Sequence, residues 1–135
     1  SLKTKNLVII ETGGMKGRRK EITREELHDK LKRGFNSNNI KSEYGMTELL
    51  SQAYSNTNGI FKSPPWLKIL VREINDPLYV KSHGKGALNF IDLANVNSCS
   101  FIASDDIGEV YRDSSFKVLG RLSNSEIRGC NLMFN

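Results

Sequence analysis

The sequence predicts an α/β unit followed by a mostly antiparallel β region. Three observations carry this expectation. Apolar runs at Leu7-Val8-Ile9-Ile10 and around Ile40 flank a segment with helix signals. Short strand-like segments separated by turn residues follow from Trp66 onward. The polar loop Ser55-Asn56-Thr57-Asn58-Gly59 marks the change of texture between them. With 135 residues, 38% apolar and 26% charged, the chain has room for one domain or a piece of a larger one, and little core to spare.

The first run reads as a strand covered on both faces, and the paired glycines Gly13 and Gly14 after it permit close approach of a ligand to the backbone. Thr23 and Glu26 form a capping box, with Ile22 and Leu27 at the staple positions, so a helix starts there. Gly34, behind Lys30, Lys32 and Arg33, marks its expected end, and Leu27 and Leu31 give it an apolar stripe to lay on a sheet. A parallel pair of strands joined by this helix would bring Gly13-Gly14 and Tyr44-Gly45 to one sheet edge, where open α/β sheets bind ligands. In the second region, strands are expected from Trp66 to Ile74, at Leu78-Tyr79-Val80, at Ala87 to Leu93 after a Gly84-Lys85-Gly86 turn, and at Cys99 to Ala103, Glu109 to Tyr111 and Phe116 to Leu119.

The informative stretch is Tyr44-Gly45-Met46-Thr47-Glu48, between the Ile40 strand and an expected short helix carrying Leu49, Leu50 and Ala53. The first turn of such a helix would be an anion site to which Thr47 adds a hydroxyl. Tyr44 would offer a flat surface and Glu48 a carboxylate for a hydrated cation, a set that fits a nucleotide. The same residues also describe a tight turn with a core tyrosine and a capping threonine.

Other signals narrow the class. The net charge of +5 comes from twenty basic and fifteen acidic residues, interleaved except at Lys16-Gly17-Arg18-Arg19-Lys20. Without a repeated basic face or interleaved aromatics that cluster reads as a solvated loop, and no nucleic-acid partner is expected, although a basic binding module remains the non-catalytic alternative. Cys99 and Cys130 form no framework of spaced pairs, and there is neither an apolar run long enough to span a bilayer nor a signal pattern, so a cytoplasmic location is expected. Cys99, inside a strand pattern, reads as core. His28 falls near the charged side of the helix and His83 in a glycine turn, both without metal-ligand spacing, and Asp105-Asp106 reads as a turn.

Tyr44-Gly45-Met46-Thr47-Glu48 resembles the Tyr-Gly-x-Thr-Glu signature of adenylate-forming enzymes; Ser104-Asp105-Asp106-Ile107-Gly108 resembles their Thr-Gly-Asp-x-Gly segment, and Leu119-Gly120-Arg121 the Gly-Arg before their hinge. Within that superfamily the likeness is to the acyl-protein synthetases of the bacterial luciferase system (LuxE-like). It runs from about Glu43 through Pro64-Pro65-Trp66, Ile91-Asp92-Leu93-Ala94 and Arg128-Gly129-Cys130-Asn131-Leu132 to the end. Phenylacetate-CoA ligases are more distantly similar.

The resemblance implies a C-terminal part of an adenylate-forming enzyme's large domain. Residues 1–63 would be a βαβ remnant of the nucleotide-binding subdomain, 64–120 a small β subdomain and 121–135 a hinge-like segment with a cysteine tail. It also implies ATP and Mg2+ as cofactors. Gly13, Gly14, Tyr44 and Gly45 would line the base, Thr47 would contact the α-phosphate or the acid, Glu48 would hold magnesium, Asp106 would accept from the ribose hydroxyls, and Arg121 would meet ribose or phosphate. Cys130 would take the acyl group from the adenylate as a thioester. The implied substrate is a fatty or other carboxylic acid, and the implied partner an acyl reductase or other acyl acceptor. Two departures stand out: Asp105 replaces the family's glycine, and no serine- and glycine-rich phosphate loop precedes Tyr44. The expectation is therefore an excised piece, inactive by itself, that self-associates as a homo-oligomer through an uncovered first strand.

Overall fold

The computed structural model describes residues 7–12, 22–55 and 59–122. Among them are a short first strand, β1 (Ile9–Thr12), one α-helix, α1 (Arg24–Phe35), and β2 (Ile40–Tyr44), β3 (Ala53–Ser55), β4 (Ile60–Lys62), β5 (Leu67–Arg72), β6 (Val80–Lys81), β7 (Gly84–Asp92), β8 (Phe101–Val110) and β9 (Phe116–Arg121). A single 3-10 turn, Leu93–Asn95, follows β7.

The β-α-β reading holds: β1 and β2 are parallel, Ile9 opposite Ile40 and Thr12 opposite Glu43, with α1 as the crossover. The capping box is formed, Glu26 N donating to Thr23 Oγ1 at 3.2 Å and Thr23 N to Glu26 Oε2 at 3.3 Å. The helix does not stop at Gly34. It runs on to Phe35, and Asn36, at φ 50°, supplies the left-handed cap, a conformation asparagine tolerates. β1 is also not covered on both faces: it ends the sheet among the described residues, with Val8 and Ile10 close to half exposed.

All nine strands join one sheet in the order β1-β2-β3-β4-β9-β8-β7-β5-β6, every pair after the first being antiparallel. The sheet passes without interruption across residue 63, in the loop between β4 and β5. It also curls. Tyr44 on β2 stacks on Phe90 of β7 with centroids 5.7 Å apart, although five strand steps, about 24 Å in a flat sheet, separate them. The partial barrel so formed encloses Phe61, Phe90, Phe116, Leu88, Val71 and Val110, all fully buried. Each phenylalanine contributes about 2–3 kcal/mol by burial.

Several strand boundaries differ from expectation. Leu78 lies in a turn and is 92% exposed, so only Val80–Lys81 pairs there. Gly84 and Gly86 stand inside β7 and do not separate it from its neighbour. At Gly86 a Cβ would lie 2.5 Å from the Arg72 carbonyl oxygen, so a glycine lets the two strands close up. The two strands expected at Cys99 to Ala103 and Glu109 to Tyr111 are the continuous β8, and Cys99, ahead of it, is exposed and not part of the core.

Candidate functional site

The segment after Tyr44 is where sequence and structure part most. No helix follows Gly45. Residues 45–52 form an irregular turn with one internal backbone bond, Leu49 N to Met46 O at 3.1 Å, and the chain re-enters the sheet as β3. Ala53 and Ser55 face inward on that strand, opposite Tyr44 and Ser42, and the ladder gained there outweighs the helical spacing of Leu49, Leu50 and Ala53. Thr47 and Glu48 are exposed on the turn, and the anion site expected at a helix start is not built that way.

What the turn lacks in internal bonds it receives from the Ile91-Asp92-Leu93-Ala94 stretch. Asp92 is fully buried, and its Oδ2 accepts from Leu50 N at 3.0 Å and Ser51 N at 2.9 Å. Its Oδ1 accepts from Ser51 Oγ at 2.7 Å and Ala94 N at 3.1 Å. Burial alone would raise this carboxyl, but the donors from Ser51, Ala94 and Leu50 outweigh it and hold it below the ordinary aspartate range. Trp66 Nε1 donates to Ser51 Oγ at 3.0 Å, and Asn95 Nδ2 donates to the carbonyls of Glu48 and Cys99, each at 2.9 Å. Sequence reading passed over Asp92 and Asn95 as site residues, because contacts 41 and 47 residues apart leave no local trace.

Asp106 comes from a bulge. Ala87 pairs with Ile107 but Asn89 pairs with Ala103, so Ser104, Asp105 and Asp106 together oppose Leu88. The looped-out backbone is satisfied locally: Ser104 Oγ donates to Leu88 O at 2.9 Å, Asp106 N donates to Ser104 Oγ at 3.2 Å, and Arg72 Nη2 donates to Ser104 O at 2.8 Å. The Asp105-Asp106 pair is thus an irregularity within β8 and not a turn between strands. It aims Asp106 at Tyr44, whose hydroxyl donates to Asp106 Oδ2 at 2.6 Å. Opposite Asp106 on β9 is Arg121, with Nε 3.9 Å from Asp106 Oδ1. A second irregularity, at Leu119, sits where Gly108 lets β8 and β9 approach: a Cβ there would lie 2.6 Å from Lys117 O and 2.8 Å from Leu88 Cδ1.

Tyr44, Asp106 and Arg121, named from separate motifs, therefore meet. The Tyr44 phenol is pushed far above its ordinary value, first by burial and then by the hydrogen bond and charge of Asp106; Arg121 opposes the shift and Glu48 adds to it. Three of the expected site residues thus touch one another, and the charge of a fourth, Glu48, is felt at the phenol. The Tyr44 ring is not a free platform on all sides, since it also meets Phe61 and Phe116 at 5.8 and 5.4 Å. Gly45 and Thr47 lie on the adjoining turn, while Gly13, Gly14 and Cys130 lie outside the described residues. From the same turn an open groove of about 550 Å³ leads away, lined by Leu50, Gln52, Tyr54, Lys62, Pro64 and Trp66 among others.

A third constellation was not foreseen. His28 faces the sheet and not the charged side of α1, its Nε2 lying 3.0 Å from Ser42 Oγ and 3.5 Å from Glu11 Oε1. Ser, His and Glu are in contact, but both contacts use the same ring nitrogen and Ser42 is fully buried, so this is no nucleophilic triad. It fastens α1 to β1 and β2, aided by Arg24, which reaches Glu11 at 3.3 Å and lies over the Phe61 ring at 5.1 Å.

The family model described as "Acyl-protein synthetase, LuxE" matches residues 2–135. Comparison with curated proteins gives no match.

Proposed function

Because the chain belongs to the LuxE family of acyl-protein synthetases, we propose that it is the C-terminal part of an ATP-dependent enzyme that activates a fatty or related carboxylic acid and loads it on Cys130. An acid oxygen attacks the α-phosphorus and pyrophosphate leaves. The Cys130 thiolate, its proton lost to solvent, then attacks the acyl carbonyl, and AMP leaves as the thioester forms.

The observation that carries this reading is the meeting of Tyr44, Asp106 and Arg121, with Glu48 exposed on the adjoining turn. The residues present suit the nucleotide. Asp106 Oδ1 accepts no hydrogen bond among the described residues and stands ready for hydroxyl donors, with Arg121 beside it for a negative neighbour. Among the described residues no three side chains form a metal cluster. Glu48 as a single exposed carboxylate fits magnesium carried largely by phosphates, which would offset the charge gathered at phosphorus. The groove along Leu50, Pro64 and Trp66 offers apolar lining for an acyl chain starting at the same turn. Cys130 follows Arg121 by nine residues, a tether of at most about 30 Å, so the thiol can be delivered to the adenylate.

Intact-mass measurement of the complete polypeptide after incubation with ATP, Mg2+ and a fatty acid tests this reading. One added acyl group, absent from Cys130→Ser and removed by hydroxylamine, is the expected result. Acyl mass that persists in Cys130→Ser would overturn the cysteine route. Ile10 on the edge strand and Val8 just before it, both close to half exposed, support self-association, which sedimentation of a lone monomer at high concentration would oppose.

A further inference from the structure

We propose that Asp92 and Asn95 are positioning residues for nucleotide capture: by holding the turn of residues 45–52 from outside, they set where Thr47 and Glu48 stand without touching the nucleotide. The assignment rests on the acyl-adenylate reading above. The turn has one internal backbone bond, too few to fix eight residues, and a loop so built would otherwise open at low free energy. Its downstream arm is fixed by Asp92 through Leu50 N, Ser51 N and Ser51 Oγ. Its crest is fixed by Asn95, which holds the main-chain carbonyl of Glu48 itself. Both anchors lie on or beside the 3-10 turn that ends β7, and the Asn95 amide spends its second bond on Cys99 O, so that short element is braced on its far side as well.

Leu93 N donates to Trp66 O at 3.0 Å, and Trp66 Nε1 returns to Ser51, which closes the path from the 3-10 turn to the site turn through a second route. A carboxylate meant only to stabilise the fold would not need its partners concentrated on one surface turn. Three of the four bonds to Asp92 go there.

Calorimetric titration of the complete polypeptide with Mg·ATP is the test, accompanied by ATP-pyrophosphate exchange and melting temperature. Asn95→Ala should bind Mg·ATP about tenfold more weakly, because of its two lost hydrogen bonds the one to Glu48 O holds the turn. Its KM for Mg·ATP should rise, with kcat and the KM for the acid little changed. Val71→Ala, a core change remote from the turn, should lose at least as much melting temperature and keep the wild-type affinity. Equal affinities in Asn95→Ala and wild type would overturn the positioning role, as would weakening in Val71→Ala that tracks its melting temperature. Should Asn95→Ala not fold, Asn95→Val comes closer to the original volume, loses the donor without adding a charge and gives the same reading. Failure of the wild-type polypeptide to bind Mg·ATP would instead remove the acyl-adenylate reading itself.

Discussion

The two ends of the sheet are held by different forces. From β4 to β9 the inner face is dense: three phenylalanines, Leu88, Val71 and Val110 are fully buried, and the strands are locked in long antiparallel ladders. In the β1-α1-β2 unit no helical residue is buried, β1 alternates between half-buried and exposed residues, and beside the one buried apolar residue, Ile40, the fastenings are polar: a capping box, the Glu11, Arg24 and His28 contacts, and one guanidinium over an aromatic ring. Glu11 and His28 are largely shielded, but they make few contacts beside the dense apolar barrel, so the helical unit should open first while the curled sheet sets global stability.

The largest break in that contrast should come from Phe90→Ala, which empties a site between Tyr44 and the barrel core and should cost about 3–5 kcal/mol in denaturant unfolding. Asp92→Ala should cost about 3 kcal/mol, because it leaves buried donors unpaired. The pH dependence has a definite sign. The folded carboxyl lies below its ordinary 3.8, so its contribution is fully present above that value and is lost as pH falls through the folded one. Acid unfolding curves of Asp92→Asn should therefore lose this component relative to wild type. Gly108→Ala should cost about 2 kcal/mol by overpacking, since the atoms it would meet are a strand carbonyl and the enclosed Leu88. Smallest of all, Thr23→Ala should remove about 1 kcal/mol from α1. Hydrogen exchange should show faster exchange confined to that helix; acceleration spreading equally into β7 and β8 would erase the distinction between the two ends.

Local signals made the helical unit legible. Thr23, Glu26 and the Leu27 and Leu31 stripe are read within a few residues of one another, and the parallel pairing follows from the crossover. The candidate site was legible only as separate motifs. That Tyr44 would find Asp106 depends on the curl of the whole sheet, and that Asp106 would point inward depends on a bulge whose acidic sequence looks like a turn. The segment after Gly45 misled for a related reason. Leu49 and Ala53 are buried at helical spacing, but the groups that satisfy the turn's amides belong to Asp92, and so the absence of a helix costs the backbone little. Asn36 outdid Gly34 because a left-handed cap is open to asparagine and the helix had one more turn-end to run.

The indole of Trp66 has one more consequence. It is the only tryptophan in these 135 residues, and its ring N–H is bonded to the hydroxyl that Asp92 also holds. The molecule thereby carries an optical gauge where its barrel meets the turn of residues 45–52. A shift in emission colour would register a slackening there in real time, with no label attached.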